Sequence, residues 1–213
     1  MKTDDLVKMI STNLEAVDSR EAPRLIFISA GLGAAVALAA MMLLLGIRTD
    51  LLEQHALLFV MVKSAFAGAI IGISLANLTR IARPGGERLV SFTLGLSPFG
   101  VALVAASVSL ALAPLSDWKA MIVGQNWLLC LVCIPLNAIV PFAGIIWAMR
   151  QLAPTNLTLA GAMAGRAAGG ISAFAYALHC TDDSFPFIAL WYGLTIALCA
   201  VLGGVVGPRL LRW

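Results

Sequence analysis

Between Tyr176 and Phe187 the chain reads YALHCTDDSFPF, a single turn that gathers His179, Cys180, Asp182 and Asp183 between two strongly apolar runs. A thiolate binds soft metal ions and exchanges electrons through disulfide chemistry. An imidazole beside it serves as a second ligand or as the base that raises thiolate content. The same residue types also make an ordinary solvated turn. Asp182 and Asp183 are read as turn solvation, and His179 either as a partner of Cys180 or as a solvated turn residue. The other cysteines are Cys130, Cys133 and Cys199, and four in a chain of this length do not make a disulfide framework. What Cys180 can do depends on the depth of the other three, and so on the elements that carry them.

Those elements belong to a bilayer. Of 213 residues, 61% are hydrophobic and only 12% charged, against roughly 25% charged in a soluble domain. The net charge of +3, with no basic cluster, argues against direct contact with nucleic acid. No cleavable signal peptide is expected, because Asp4, Asp5, Glu15 and Asp18 interrupt the first twenty residues.

A spanning helix needs about 20 mostly apolar residues. Six such segments are predicted, at about Leu25–Gly46, Leu57–Leu78, Leu89–Leu112, Trp127–Trp147, Leu157–Leu178 and Pro186–Gly207. Period-2 alternation is absent, which excludes a membrane barrel. On one side of this arrangement lie Lys2, Lys8, Arg20, Arg24, Arg80, Arg83, Arg88, Arg150, Arg209 and Arg212; the other side has only Arg48 and Lys119. Ten against two predicts that both termini are cytoplasmic. Trp127 and Trp147 stand 20 residues apart, about 30 Å of helix and one hydrocarbon thickness. Pro135 and Pro141 are expected to kink the fourth span. Gly161, Gly165 and Gly169, with Gly68/Gly72 and Gly203/Gly207, recur at four-residue spacing and predict close helix packing.

Depth now separates the thiols. Cys180 lies just outside the fifth span, and Cys130 is three residues past Trp127, about 4.5 Å below the outer interface. Those two are expected to meet near the outer surface. Cys133 and Cys199 lie deeper and read as small buried hydrophobes. Lys63 and Arg166 lie inside spans, where ionisable residues are functional hypotheses. Lys63 is near enough to the outer end to snorkel. Arg166 has no intramembrane acid, so Asn77, Asn137, a kinked-helix carbonyl or water is expected to serve it. Nucleophile elbows, phosphate loops and paired intramembrane carboxylates are missing, so the chain is not read as an enzyme.

The segment before the first span carries its own pattern. Leu6, Ile10, Leu14 and Val17 recur at intervals of four, four and three, with Lys8, Ser11, Thr12 and Glu15 off the stripe. This predicts a short amphipathic helix, lying on the membrane, packed against the bundle or docked on a partner.

Several stretches together resemble the NrsF family: MKTDDLVKMIS, LGIRTDL, IARPGG, GQNWLLC, LAPTNLTLAG, ALHCTDDSFPFIALWYGL and the terminal GPRLLRW. The resemblance runs from end to end. It implies a six-span bacterial inner-membrane protein that sequesters an extracytoplasmic-function sigma factor until heavy metal or oxidant stress releases it. The family's cysteine positions fall on Cys130 and Cys180; no family role carries over to Arg166. The expectation is therefore an all-α polytopic membrane protein. Residues 1–24 form a cytoplasmic segment that binds the sigma factor through Leu6, Ile10, Leu14 and Val17. Residues 25–213 form a six-helix membrane domain with a periplasm-facing thiol site at Cys130 and Cys180, His179 beside it. Its partners are the sigma factor and the lipid bilayer. No resident cofactor is expected, and transient metal binding at the two thiols is left open. The competing readings are a small transporter or channel using Lys63 and Arg166, and a structural membrane subunit with inert thiols.

Overall fold

The computed structural model describes residues 21–83, 85–152 and 154–212, and among these it is helical throughout, with no strand. The amphipathic stripe Leu6, Ile10, Leu14 and Val17 lies outside the described residues. Helix α1 is Glu21–Leu44, α2 is Gln54–Ile81 and α3 is Phe92–Leu112. A short α4, Trp118–Val123, precedes α5, Trp127–Asn137, and α6, Ile139–Leu152. Helix α7 is Leu157–Tyr176, and after the turn and a single helical turn at Phe185–Phe187 the chain enters a π-helical segment, Ile188–Tyr192, that runs into α8, Gly193–Leu211.

Local chemistry sets the boundaries. The Ser91 hydroxyl accepts from the Leu94 N–H at 3.3 Å and the Asn156 side chain from the Leu159 N–H at 3.0 Å, each capping a helix start. The fourth predicted span is broken at Ala138, between Pro135 and Pro141, so it is two helices end to end. A proline cannot donate to the helical ladder, and two within seven residues leave it no continuous path.

Among the described residues five segments are long and apolar enough to cross a membrane: Glu21–Leu44, Gln54–Ile81, Gly86–Leu112, Trp118–Leu152 and Phe185–Leu211. Their outward faces stay apolar, with Leu32, Val101, Leu103, Val104 and Val201 all exposed, as a lipid-facing surface requires and a water-facing one penalises. These helices mark a membrane protein. Helix α7 is different: it is 20 residues long, carries Arg166 and four glycines, and is buried along most of its length. It is the hub, packed against α8, α2, α6, α1 and α5.

The hub depends on missing side chains. A Cβ on Gly165 would collide with the Cys199 carbonyl and stand 3.1 Å from the Gly203 Cα, and one on Gly207 would stand 2.6 Å from the Gly161 Cα. Backbone thus meets backbone between α7 and α8, as the four-residue spacing predicts. Gly68 and Gly72 do not follow: a Cβ there would meet nothing within 4 Å. The spacing is the same, but that face of α2 meets none of the other described helices.

Candidate functional site

The turn after α7 is held from three sides. Its backbone closes on itself, with the N–H groups of His179 and Cys180 both donating to the Tyr176 carbonyl at 3.0 Å. The loop after α1 reaches it through the Arg48 N–H, which donates to the Leu178 carbonyl at 3.1 Å. The loop after α4 reaches it at Asp182, whose carboxylate accepts from the Gln125 and Asn126 N–H groups at 2.9 and 2.7 Å. Gly124 makes this approach possible: its φ is 60°, and a Cβ would stand 2.8 Å from the Asp182 carboxyl carbon. Ser184 completes the tie by donating to the Met121 carbonyl at 2.6 Å.

The third side is ionic. Lys63, fully buried in α2, donates from Nζ to the Cys180 carbonyl at 2.9 Å and to Asp183 Oδ1 at 2.8 Å. Arg48 uses all of its side-chain N–H groups. Nε and Nη2 donate to Asp50, Nη1 and Nη2 to Asp183, and Nη1 also to the Cys180 carbonyl at 3.1 Å. Two cations thus face two carboxylates, which is how a nearly dry charge cluster avoids leaving a charge uncompensated. The Arg48 guanidinium holds the Asp50 carboxyl down to about 2, and Asp50 and Asp183 together hold Arg48 above its ordinary value.

This corrects the reading of the two aspartates as turn solvation. Asp183 is the buried counter-ion of Lys63 and Arg48, and Asp182 is a backbone clamp. A buried lysine near a helix end calls for an acid at that end, but the sequence offers Asp50, Asp182 and Asp183 there and only the fold selects Asp183. Lys63 does reach outward as expected, but to a carboxylate and not to solvent. That pairing also removes it as a free cation for transport.

Cys130 and Cys180 are both fully buried free thiols in one cluster with Ile134, Tyr176, Phe187 and Tyr192. The fold closes them beneath the turn, so neither sulfur is open to solvent. Burial pushes the Cys180 thiol up, and the Lys63 charge offsets only part of that. The Tyr176 and Tyr192 rings stand 6.1 Å apart and both hydroxyls are buried, that of Tyr192 against the Cys180 thiol. Tyr192 ends the π-helical segment, whose loosened carbonyls at Trp191 and Tyr192 accept from the Thr195 hydroxyl at 2.7 and 3.0 Å. Sequence reading passed over both tyrosines. Cys133 lies a turn deeper and partly buried. Cys199 packs on Gly169, as a small hydrophobe does.

His179 turns toward α1, with Nδ1 3.2 Å from the Gly46 carbonyl. Among the described residues no three His, Cys, Asp or Glu side chains gather as a metal set. The two sulfurs are the soft donors the site presents.

Arg166 takes a different set of partners from the one expected. Nε donates to the Ser74 hydroxyl at 2.9 Å and Nη1 to the Gly95 carbonyl at 3.1 Å, in the helix that contains Pro98. A carbonyl of a proline-bearing helix is therefore one partner. Asn137 instead donates to the Ala37 carbonyl at 3.3 Å.

Comparison with known proteins places these features in a family. The model of the NrsF family, described as negative regulator of sigma F, matches residues 10–213. The chain is 34% identical to a probable anti-sigma-F factor NrsF of Azospira oryzae, over the full length of both chains. It is 32% identical to the anti-sigma-F factor NrsF of Caulobacter vibrioides, again over the full length of both. No solved structure matches. These are regulatory proteins and not enzymes, and the chain belongs to the NrsF family.

Proposed function

We propose that this protein is a membrane-bound anti-sigma factor. It holds an extracytoplasmic-function sigma factor at the bacterial inner membrane and releases it when envelope stress, from heavy metal or oxidant, reaches Cys130 and Cys180. The observation that carries the reading is similarity over the whole chain to two anti-sigma-F factors. In this reading six helices span the membrane, α5 and α6 acting as one span, with both termini cytoplasmic. The ten-to-two distribution of Lys and Arg supports that orientation. The thiol turn then faces the periplasm, and the end bearing Arg80, Arg88 and Arg150 faces the cytoplasm.

The thiols supply the input. A metal ion bound by both sulfurs displaces two protons. Disulfide formation passes two electrons and two protons to the oxidant, and requires Cα atoms within about 7 Å. Either event moves the Cys180 backbone, whose carbonyl is held by Lys63 and Arg48. Helix α2 carries that movement across the bilayer to Arg80 and the loop that follows. The output is differential affinity: the sigma factor must bind one bundle state better than the other, since nothing else shifts the equilibrium. No resident cofactor is part of this mechanism. The test is recovery of a sigma factor with the full-length protein from native membranes, before and after stress. Recovery before and loss after supports the proposal, and absence of any sigma factor before stress refutes it.

A further inference from the structure

Arg166 is the one buried side chain of the described residues that carries a charge without an opposite charge beside it. Two of its N–H groups are bonded, and Nη2 is buried with no partner. The Ser74 hydroxyl gives its proton to the Ile70 carbonyl at 2.6 Å and accepts from Nε, and it does not serve Nη2. Asn77 lies one turn along α2 from Ser74, on the same face. It is 2% exposed, and its side-chain amide nitrogen is also buried without a partner. Unserved donors on a guanidinium and an amide, in hydrocarbon, ask for an acceptor that brings negative charge.

Their depth says where it comes from. Arg166 is nine residues into α7, about 13 Å, and its long side chain leans back toward the helix start. Gly95 is three residues into α3 and Asn77 four residues from the end of α2, about 4.5 and 6 Å from those helix ends. All these ends lie on the side read above as cytoplasmic. A cavity of about 440 Å³ opens between α2 and α3, lined by Ala69, Ile73, Ser97, Pro98 and Ala102 among others. Ile73 directly precedes Ser74, and Ser97 follows Gly95 by two residues. It continues up to Val62, eleven residues and about 16 Å along α2 from Ile73. Its walls are apolar and its length suits one acyl chain.

We propose that this is a binding site for an anionic phospholipid of the cytoplasmic leaflet, its phosphate on Arg166 and Asn77 and one acyl chain in the slot between α2 and α3. The site does not depend on the thiols or on a sigma factor. Guanidinium binds phosphate through paired N–H groups, and Nη2 has both of its own to give.

The full-length protein in detergent, titrated with phosphatidylglycerol or phosphatidylcholine and read by native mass spectrometry, tests it. Wild type is expected to retain one phosphatidylglycerol at least tenfold more tightly than phosphatidylcholine. Arg166→Leu should abolish the preference, Arg166→Lys should restore part of it, and Ala69→Phe, which fills the slot and leaves the charge, should release the lipid. Ala69→Phe decides the matter if Arg166→Leu does not fold. Equal retention of the two lipids by wild type overturns the proposal. So does unchanged retention in Ala69→Phe, or inorganic phosphate competing as well as the lipid, which would make the site one for a free anion.

Discussion

Lys63 holds Cys180 by its backbone: Nζ, fully buried in α2, donates to the Cys180 carbonyl at 2.9 Å and is fixed there by Asp183 at 2.8 Å. The turn that carries one thiol is thus pinned to a helix that crosses the whole bundle. Asp183 is the shared element of the pin, since Arg48 also depends on it. Asp183→Asn should therefore cost more than Lys63→Met. The first leaves two buried cations short of a counter-charge, about 3–5 kcal/mol for a broken buried pair. The second leaves Asp183 with Arg48. Thermal unfolding in detergent checks the order, and equal or inverted losses would show that the pin does not bear on stability.

Acid should loosen the same region from its edge. Asp50 is held down to about 2 by Arg48, below the ordinary carboxylate value of about 3.9. A carboxylate with a depressed value contributes stability that is complete above the ordinary value and is lost as pH falls toward the depressed one. Wild type should lose this contribution between about pH 4 and pH 2, and Asp50→Asn should lack that part of the acid slope. Identical acid slopes in the two proteins would contradict the pairing.

Two glycines with the same sequence spacing should behave oppositely. Gly165→Ala places a methyl group into the Cys199 carbonyl and must push α8 away, whereas Gly68→Ala meets open space. Overpacking of this kind costs about 1–3 kcal/mol, while Ala in place of an unconstrained helical Gly gains up to about 1 kcal/mol. A fall in melting temperature for the first and none for the second is the expected pair of results.

These cases mark how far the residues alone could be read. The long apolar helices and the gathering of Cys130 and Cys180 in one cluster followed from hydropathy and depth, both properties of position along the chain. Asp183 was missed because its partners are 120 and 135 residues away in sequence, and only the folded bundle brings them to the turn. Gly68 was misjudged because spacing defines a face but not what the face meets. Tyr176 and Tyr192 were passed over because a buried hydroxyl is recognisable only once its surroundings are known.

The N-terminal stripe Leu6, Ile10, Leu14 and Val17 is the face proposed to dock on the sigma factor. Replacing Leu6 and Ile10 together by Asp should leave the protein in the membrane and free the sigma factor without stress, because a docked apolar face cannot carry two charges. Normal retention by the double variant would move the docking surface elsewhere, to the loops around Arg80–Arg88 and Arg150.

The central claim is that two buried thiols control release. Its most direct measurement is the amount of sigma factor held on native membranes, before and after a thiol-active stressor, in wild type, Cys130→Ser and Cys180→Ser. Wild type should lose its sigma factor on stress, while each serine variant binds it normally beforehand and keeps it afterwards. Release from both variants to the wild-type extent, across metal and oxidant stressors alike, would contradict the account.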